Sequence, residues 1–568
     1  MKKNILSLSA SVLLSLSVAV LGLSSCSDKI YQEINTDPAK AETMNPTLQL
    51  TYAELEIFGD MNYVDVHRLY VYAFTQQLMG CWNTTYYGGQ QRVDDNEMSR
   101  PWNNLYAGAI RNLTDGLAHC NGNADMANIE AALRIFRVYV ISLLTDYYGD
   151  VPDSEAGLAY LTGNSKPRYD TQEEIYHRFF TELKTAVEMF NPQAKSIDSD
   201  PLFRGDVGSW KRFANSLRMR FAMRLKNRLP ELAQQEFVEA LQAGALDKGE
   251  NACVQHLNVS YSFGQESYKD FRGNALAKYF YGNDPANNPT YICQTFWDQL
   301  YNNNDPRTTR LCRFYIDDFM SLSEATGRID MTDAVMATQA KYPSSKIIHK
   351  IGPGKFSWTD WPSYNAYSPL KERVAEVLTE HPTYNPKKNP RWLMPKLANN
   401  FLRSDNPGVI MTYAEVCFLK AEATLEGWIA EPAAALYYEG IEEAMKLLSD
   451  YYGCEVITQE EYETYVSQDA ILFAEGDKDK CLEQINTQAW ILHFHNPAEC
   501  WANVRRSNYP ALQEPTYKEV IDRGGIPVRL CYPLKEETYN IEEYEAARNR
   551  AEADYNWHAH VWWDVDPQ

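Results

Sequence analysis

Apolar residues recur at intervals of three and four along much of this chain, the spacing that lines one face of an α-helix. In 129–147 the set Ile129, Leu133, Phe136, Val140, Leu143, Leu144 and Tyr147 keeps that spacing without a break. Thr171 and Glu174 then form a capping-box pattern ahead of Ile175, Phe179, Leu183, Val187 and Phe190. Phe213, Leu217, Phe221 and Leu225 make a further stripe, with Arg212, Arg218, Arg220 and Arg224 largely off it. Two more helices are predicted at about 412–427 and 432–449, the second entered at Pro432, where a first turn tolerates proline. The helices fall in neighbouring pairs, yet no fixed period of about 34 residues runs through the chain. Between them, 251–410 is the least regular stretch, rich in Asn, Pro, Gly and aromatics with few clean helices, and 80–104 is similarly loop-like. Strand-like runs such as Ile526 to Cys531 are too few for a sheet-based fold. The pattern predicts a mostly α protein: paired helices carrying long loop-rich insertions.

The N-terminus has a different pattern. Lys2 and Lys3 precede an apolar stretch from Ile5 to about Leu23, which closes on Leu23-Ser24-Ser25-Cys26. This is the layout of a secretory signal peptide, and its serines suit a removable segment better than a lasting membrane span. Leu-Ser-Ser-Cys resembles a bacterial lipobox, which makes Cys26 the expected lipidated first residue of an exported chain. The expected organisation is a signal peptide at 1–25, a lipidated tether at 26–45 and a single domain at 46–568, with its ligand-side insertion at about 251–410.

Charge narrows the partners. A net charge of −22 over 568 residues argues against nucleic acid and against electrostatic docking to anionic lipid. The eleven cysteines are scattered with no C-x-x-C pair, so neither a disulfide framework nor structural zinc spacing is predicted. Cys417, within VCFL, reads as a small core residue.

Motifs for chemistry are largely missing. The chain lacks H-E-x-x-H, G-x-S-x-G, S-x-x-K, a phosphate loop and a dinucleotide fingerprint. His493/His495 lie in a helix-like run, where i and i+2 diverge. His558/His560 lie in an extended tail. Asp94-Asp95, Glu460 to Glu463 and Glu536-Glu537 read as solvated faces. No catalytic residue, metal ligand or cofactor is assigned.

Four stretches carry a more specific signal: DYYGDVPDSEA at 146–156, VIMTYAEVCFLKAEA at 409–423, INTQAWILHFHNPAECWANVRRSNYP at 485–510 and IPVRLCYPLKEETYN at 526–540. HVWWD follows at 560–564, and NTDPAK stands early at 35–40. In this order, behind a lipoprotein signal, they resemble the SusD/RagB family of Bacteroidetes surface lipoproteins. The resemblance implies a SusD-like fold built on tetratricopeptide-like helix pairs. It also implies a non-enzymatic binder of glycans that delivers them to a SusC-like TonB-dependent outer-membrane transporter, held to the outer membrane by its N-terminal lipid and facing the cell exterior. A peptide or other nutrient binder of the same fold stays open, as does an outer-membrane helical glycoside hydrolase or lyase.

The signature residues read first as fold-keepers. Tyr147, Tyr148, Gly149, Asp150 and Pro152 end a helix at a glycine turn. Trp501, Arg505, Arg506, Tyr509 and Pro510 suit packing and hydrogen bonding to carbonyls or carboxylates. Ligand contact is expected instead in the polar loops, where exposed rings and amide groups match the C–H faces and hydroxyl rims of sugars. Trp82, Asn83, Tyr86 and Tyr87 form one candidate segment, and Trp358, Trp361, Tyr364 and Asn365 the other. Tyr261, Phe263 and Trp297 are weaker candidates.

Overall fold

The computed structural model describes residues 44–80, 85–259, 270–281, 290–316, 328–344, 347–353, 369–380, 390–514, 525–551 and 557–565. By contacts the chain divides into Met1–Asn45 and a unit spanning Pro46–Gln568. Cys26 lies outside the described residues.

Helices dominate the larger unit, and the long ones pack as pairs. Helix α1 (Pro46–Gly59) packs on α2 (Arg111–Cys120), α3 (Ala127–Tyr148) on α4 (Gln172–Met189), and α5 (Val207–Arg224) on α6 (Pro230–Ala243). Helix α7 (Tyr413–Leu425) packs on α8 (Ala433–Tyr452), and α9 (Lys478–Leu492) on α10 (Pro497–Ser507). Neighbouring pairs then touch through α4 and α5, α5 and α7, and α7 and α9, which makes one continuous stack.

Local chemistry sets the ends of these helices. The Thr171 side chain accepts from the Glu174 N–H while Glu174 reaches back, a complete capping box at the start of α4. Gly149 ends α3 at φ +88°, a conformation that costs glycine little. Pro432 caps α8, and Gly453 closes it in the left-handed region.

The helix interfaces are crossed by buried ion pairs. Arg220, Arg224 and Arg218 stand off the apolar stripe of α5, yet all three are buried. Arg220 grips Glu415 of α7 through Nε at 2.6 Å and Nη2 at 2.7 Å. Arg224 reaches Glu499 of α10 at 2.6 Å and Asp146 of α3 at 3.3 Å. Arg506 of α10 holds Glu422 of α7 through two bonds of 2.6 and 2.8 Å. Such charge-assisted, partly bidentate pairs fix geometry as well as energy.

The signature stretches converge on one polar knot. The Arg505 guanidinium donates to the carbonyls of Asp146 at 2.9 Å and Val528 at 2.7 Å. It is sandwiched over the rings of Trp501 at 4.2 Å and Trp563 at 4.9 Å. The Asp146 carboxylate accepts from Tyr176 and from the Trp563 indole. Tyr148 donates to the Met98 carbonyl, and Asp150 is held by Arg550 at 2.6 Å. These residues hold the stack together, as their fold-keeping reading anticipates.

Three sequence readings are corrected. Ile526–Cys531 is no strand: the chain bends at Ile526 and Arg529, and its N–H groups bond to the Trp557 carbonyl (from Val528 and Arg529) and the Tyr147 carbonyl (from Leu530) instead of forming a ladder. Residues 80–104 are not all loop, because Asp95–Met98 and Arg100–Leu105 are helical. Asp94 caps the first, and Pro101 sits within the first turn of the second. Trp297 belongs to the core at 2 % exposure, stacked on Tyr301 at 5.3 Å.

A small sheet positions the irregular side of the molecule. Strand β1 (Leu78–Gly80) pairs antiparallel with β3 (Thr290–Ile292). The sheet continues through β5 (Lys396–Leu397) to β4 (Cys312–Arg313). A second ladder joins β2 (Asn251–Val254) to β6 (Gly408–Thr412), so both ends of the long insertion are tied to one place. Among the described residues no helix is long and apolar enough to cross a membrane.

Candidate functional site

Of the first candidate segment and its flanks, residues 76–80 and 85–92 are described. Both flanks turn at a left-handed residue. Gln76 takes a left-handed conformation at φ +55°, and Gln91 does so at φ +51°. A non-glycine residue pays strain to stay there and persists only where its surroundings over-determine it. At Gln76 the surroundings are explicit. Its amide donates to the Gln513 carbonyl at 2.7 Å, while its carbonyl oxygen accepts from Thr295 Oγ1 and the Gln513 N–H. Gln77 donates to the Trp490 carbonyl at 2.6 Å, and the Trp490 indole returns a bond to the Thr75 carbonyl. From this rigid root β1 runs out along β3, with Gly80 opposite Thr290.

The chain returns as a single π-helical turn, Thr85–Gly89. Gly88 lets that turn lie against the preceding helix. A Cβ there would stand 2.6 Å from the Leu69 carbonyl oxygen and 2.8 Å from Ala73 Cβ, closer than atoms approach. The two tyrosines of the turn part company. Tyr87 packs inward on Tyr70 at 5.9 Å and joins the edge of the core, where burial raises its phenol pKa. Tyr86 meets Tyr87 edge-on at 5.1 Å, and the Arg92 guanidinium lies 4.4 Å from its ring centroid. Arg92 is oriented by a bond from Nε to Gln90 Oε1 at 3.0 Å, and its backbone carbonyl accepts from Tyr70. The result is a half-exposed ring with the Arg92 guanidinium laid over one of its faces, on a turn that closes at left-handed Gln91.

Of the predicted contacts, Tyr86 and Tyr87 are thus brought together. Trp82, Asn83, Trp358, Trp361, Tyr364 and Asn365 lie outside the described residues, as do Tyr261 and Phe263. The flank of the second segment is in place: Ile351 bridges Cys293, and its carbonyl accepts from the Gln294 N–H at 2.7 Å. Sequence reasoning missed Arg92 and the glutamines at 76, 77, 90 and 91. Their signal was the polar pairs Gln76-Gln77 and Gln90-Gln91 bracketing an aromatic run.

Elsewhere the reactive groups are engaged in structure. Asp153 and Asp170 lie near one another, but Arg178 bridges them and Arg137 adds a bond of 2.7 Å to Asp153. His493 stands 3.4 Å from Glu415. His495 stacks on Tyr452 at 4.7 Å, where burial lowers its pKa to about 3. His560 pairs with Asp564 at 2.8 Å. Among the described residues no group of three His, Cys, Asp or Glu could hold a metal ion. Glu461 completes a capping box and Glu536 accepts from Tyr169, so parts of the acidic clusters do structural work beyond solvation.

Comparison with known proteins adds an independent line. A SusD-like family model, described as starch-binding associating with outer membrane, matches residues 38–353 and 369–533. A solved structure described as Bacteroidetes AC2a SusD-like is 62 % identical, covers 92 % of this chain and 100 % of its own, and has a TM-score of 0.88. A chitin-binding protein is 29 % identical with the same coverages and a TM-score of 0.74. A SusD homolog from Bacteroides fragilis NCTC 9343 is 19 % identical, covers 92 % of this chain and 100 % of its own, and shares the fold at a TM-score of 0.63. Among curated proteins none matches.

Proposed function

The chain belongs to the SusD-like family, and on that premise we propose that it is a lipid-anchored outer-membrane protein that binds a glycan and delivers it to a TonB-dependent transporter. The observation that carries the binding half is the half-exposed Tyr86 ring, with Arg92 laid over one face and the other face proposed for the ligand, on a segment that turns at left-handed Gln76 and Gln91. An aromatic face with adjacent fixed donors is what a pyranose needs: stacking for its C–H face and hydrogen bonds for its rim. The starch-binding description of the family and the chitin-binding relative point to the same ligand class.

In this reading Trp82, Asn83, Tyr86, Trp358, Trp361, Tyr364 and Asn365 contact the glycan, and Tyr87 holds the turn that presents Tyr86. The protein acts by binding, without catalysis. The Asp153–Asp170 pair named above is bridged by Arg178, whereas a glycosidase needs two carboxyl groups free to face a substrate. Alanine substitution of Trp82, Tyr86, Trp358 and Trp361, one at a time, tests the site. Loss of glycan binding with an unchanged melting temperature is expected for at least one ring. Unaltered binding in all four variants overturns the assignment.

Export rests on residues 1–25, and anchoring rests on Cys26 as the lipidated start of the mature chain, with 26–45 as tether and 46–568 as the binding domain. Cys26→Ala is expected to release the protein from membranes, since the acyl chains are its anchor. Native pull-down from outer membranes is expected to recover a β-barrel transporter. Its absence would remove the delivery half of the proposal.

A further inference from the structure

The scaffold carries a groove that the aromatic-loop face does not include. It is an open hollow of about 550 Å3 among the segment after α5, the end of α7, and helices α9 and α10. Its floor is an ion-pair chain. Lys226 Nζ sits 2.9 Å from both Glu422 and Glu426, Arg506 holds both carboxylate oxygens of Glu422, and Lys478 Nζ lies 2.8 Å from Glu426. With Asp479, which also lines the hollow, three cations (Lys226, Lys478 and Arg506) stand against three carboxylates (Glu422, Glu426 and Asp479), so the groove has no excess of either sign. Hydrogen-bonding capacity is left over: an ammonium has three N–H groups, and Lys478 uses one of them on Glu426.

Two aromatic side chains line this hollow, Trp428 and Tyr509. Trp428 is half-buried and backed by Phe237 at 5.6 Å, which fixes its ring. Among the described residues neither the Trp428 indole N–H nor the Tyr509 hydroxyl has a hydrogen-bond partner, and both groups usually find one when they leave water. Tyr509 closes the NVRRSNYP stretch, whose Arg505 and Arg506 are buried in the polar knot and the ion-pair chain. Tyr509 itself is not used there. Asn508, left-handed at φ +59°, turns the chain out of α10, and Gln513 is clamped to Gln76 a few residues later. The wall carrying Tyr509 is therefore held at both ends.

We propose that this groove is a second carbohydrate-binding site, which takes a neutral, hydroxyl-rich sugar stacked on Trp428 with its hydroxyls on the Lys226–Glu426–Lys478 chain. A matched floor gives no gain to a charged ligand, since binding one would leave a floor charge unpaired. A polyhydroxylated neutral ligand can donate to the carboxylate and accept from the ammonium together without disturbing the pairing. The site is separate from the Tyr86 turn, so it stands or falls independently of that assignment.

The test uses the full chain in detergent, with maltoheptaose and chitohexaose as probes. Calorimetry is run on the wild type, Tyr86→Ala, Trp428→Ala, Lys478→Ala and the Tyr86→Ala/Trp428→Ala double variant, with melting curves for each. Wild-type crystals are soaked in both sugars. For at least one probe, binding is expected to survive Tyr86→Ala and to weaken about tenfold on Trp428→Ala, with a pyranose seen over Trp428 in the soaked crystals. Lys478 is half-exposed, so Lys478→Ala gives the weakening without risk to the fold. The proposal is overturned if neither sugar occupies the groove at millimolar concentration. It is equally overturned if Trp428→Ala and Lys478→Ala both leave binding unchanged. Binding lost in Tyr86→Ala alone would sink the groove and keep the first site; the reverse pattern would do the opposite.

Discussion

The helix stack and the Tyr86 turn treat arginine in opposite ways. In the stack, Arg220, Arg224 and Arg506 are almost wholly buried, and each is locked to carboxylates on a different helix. At the turn, Arg92 is half-exposed, and its guanidinium faces a tyrosine ring and a glutamine oxygen, with no carboxylate partner among the described residues. A guanidinium closed off by a carboxylate specifies how helices sit. One held only by a ring and an amide keeps donors available to a ligand. The same residue type therefore marks fold in one region and recognition in the other, and the difference lies in what neutralises it.

The largest effect that could break this contrast is at Glu422. Glu422→Ala leaves Arg506 and Lys226 facing an empty buried site and is expected to cost about 3–5 kcal/mol by chemical denaturation. A loss below about 1 kcal/mol would mean that the buried pairs do not hold the stack.

Acid sharpens the contrast. Burial works against the charged form of Asp170, but N–H and hydroxyl bonds from Ser154, the Asp153 N–H and the nearby Arg178 more than offset it and bring its pKa to about 2. Arg220 and His493 hold Glu415 below its usual value in the same sense. A depressed carboxylate contributes stability above its unfolded pKa and loses it as pH falls through the folded value. The melting temperature is thus expected to fall between about pH 4 and about 2, with Asp170 alone contributing about 2 kcal/mol. A flat profile across that window would contradict the pairing.

The smallest effect on stability is expected at Arg92. Arg92→Ala should change stability by no more than about 0.5 kcal/mol while weakening glycan binding. A large drop in melting temperature would place Arg92 with the buried arginines after all.

Most of the stack was legible, because a three-and-four apolar rhythm has few other solutions. The span 129–147 lies within α3, and the Thr171 capping box stands where the residues put it. The off-stripe arginines of α5 were harder, because hydropathy sees a charge but not the carboxylate waiting on another helix. The helices between Asp95 and Leu105 hid behind Asp94 and Pro101, which look like loop residues and act as a cap and a first-turn residue. Trp297 was misjudged for a related reason: an aromatic in a polar stretch can still be turned to the core by its helix. At the candidate site, the pairing of Tyr86 with Arg92 depends on a turn whose tightness follows from Gly88 lying on Leu69, a contact made by tertiary packing.

The clamp at Gln76 and the turn at Gln91 have a bearing on how such a protein diversifies. A segment whose start is pinned by the Gln76 and Gln77 amides, and whose end turns at left-handed Gln91, can change at its exposed positions while these boundary conditions stay the same. A different side chain at Tyr86 would alter what is recognised without reopening the folding problem, whereas Leu78, Tyr87 and Gly88 are held by the core. That gives this framework a ready place for specificity to be exchanged, by drift in nature or by loop grafting in the laboratory.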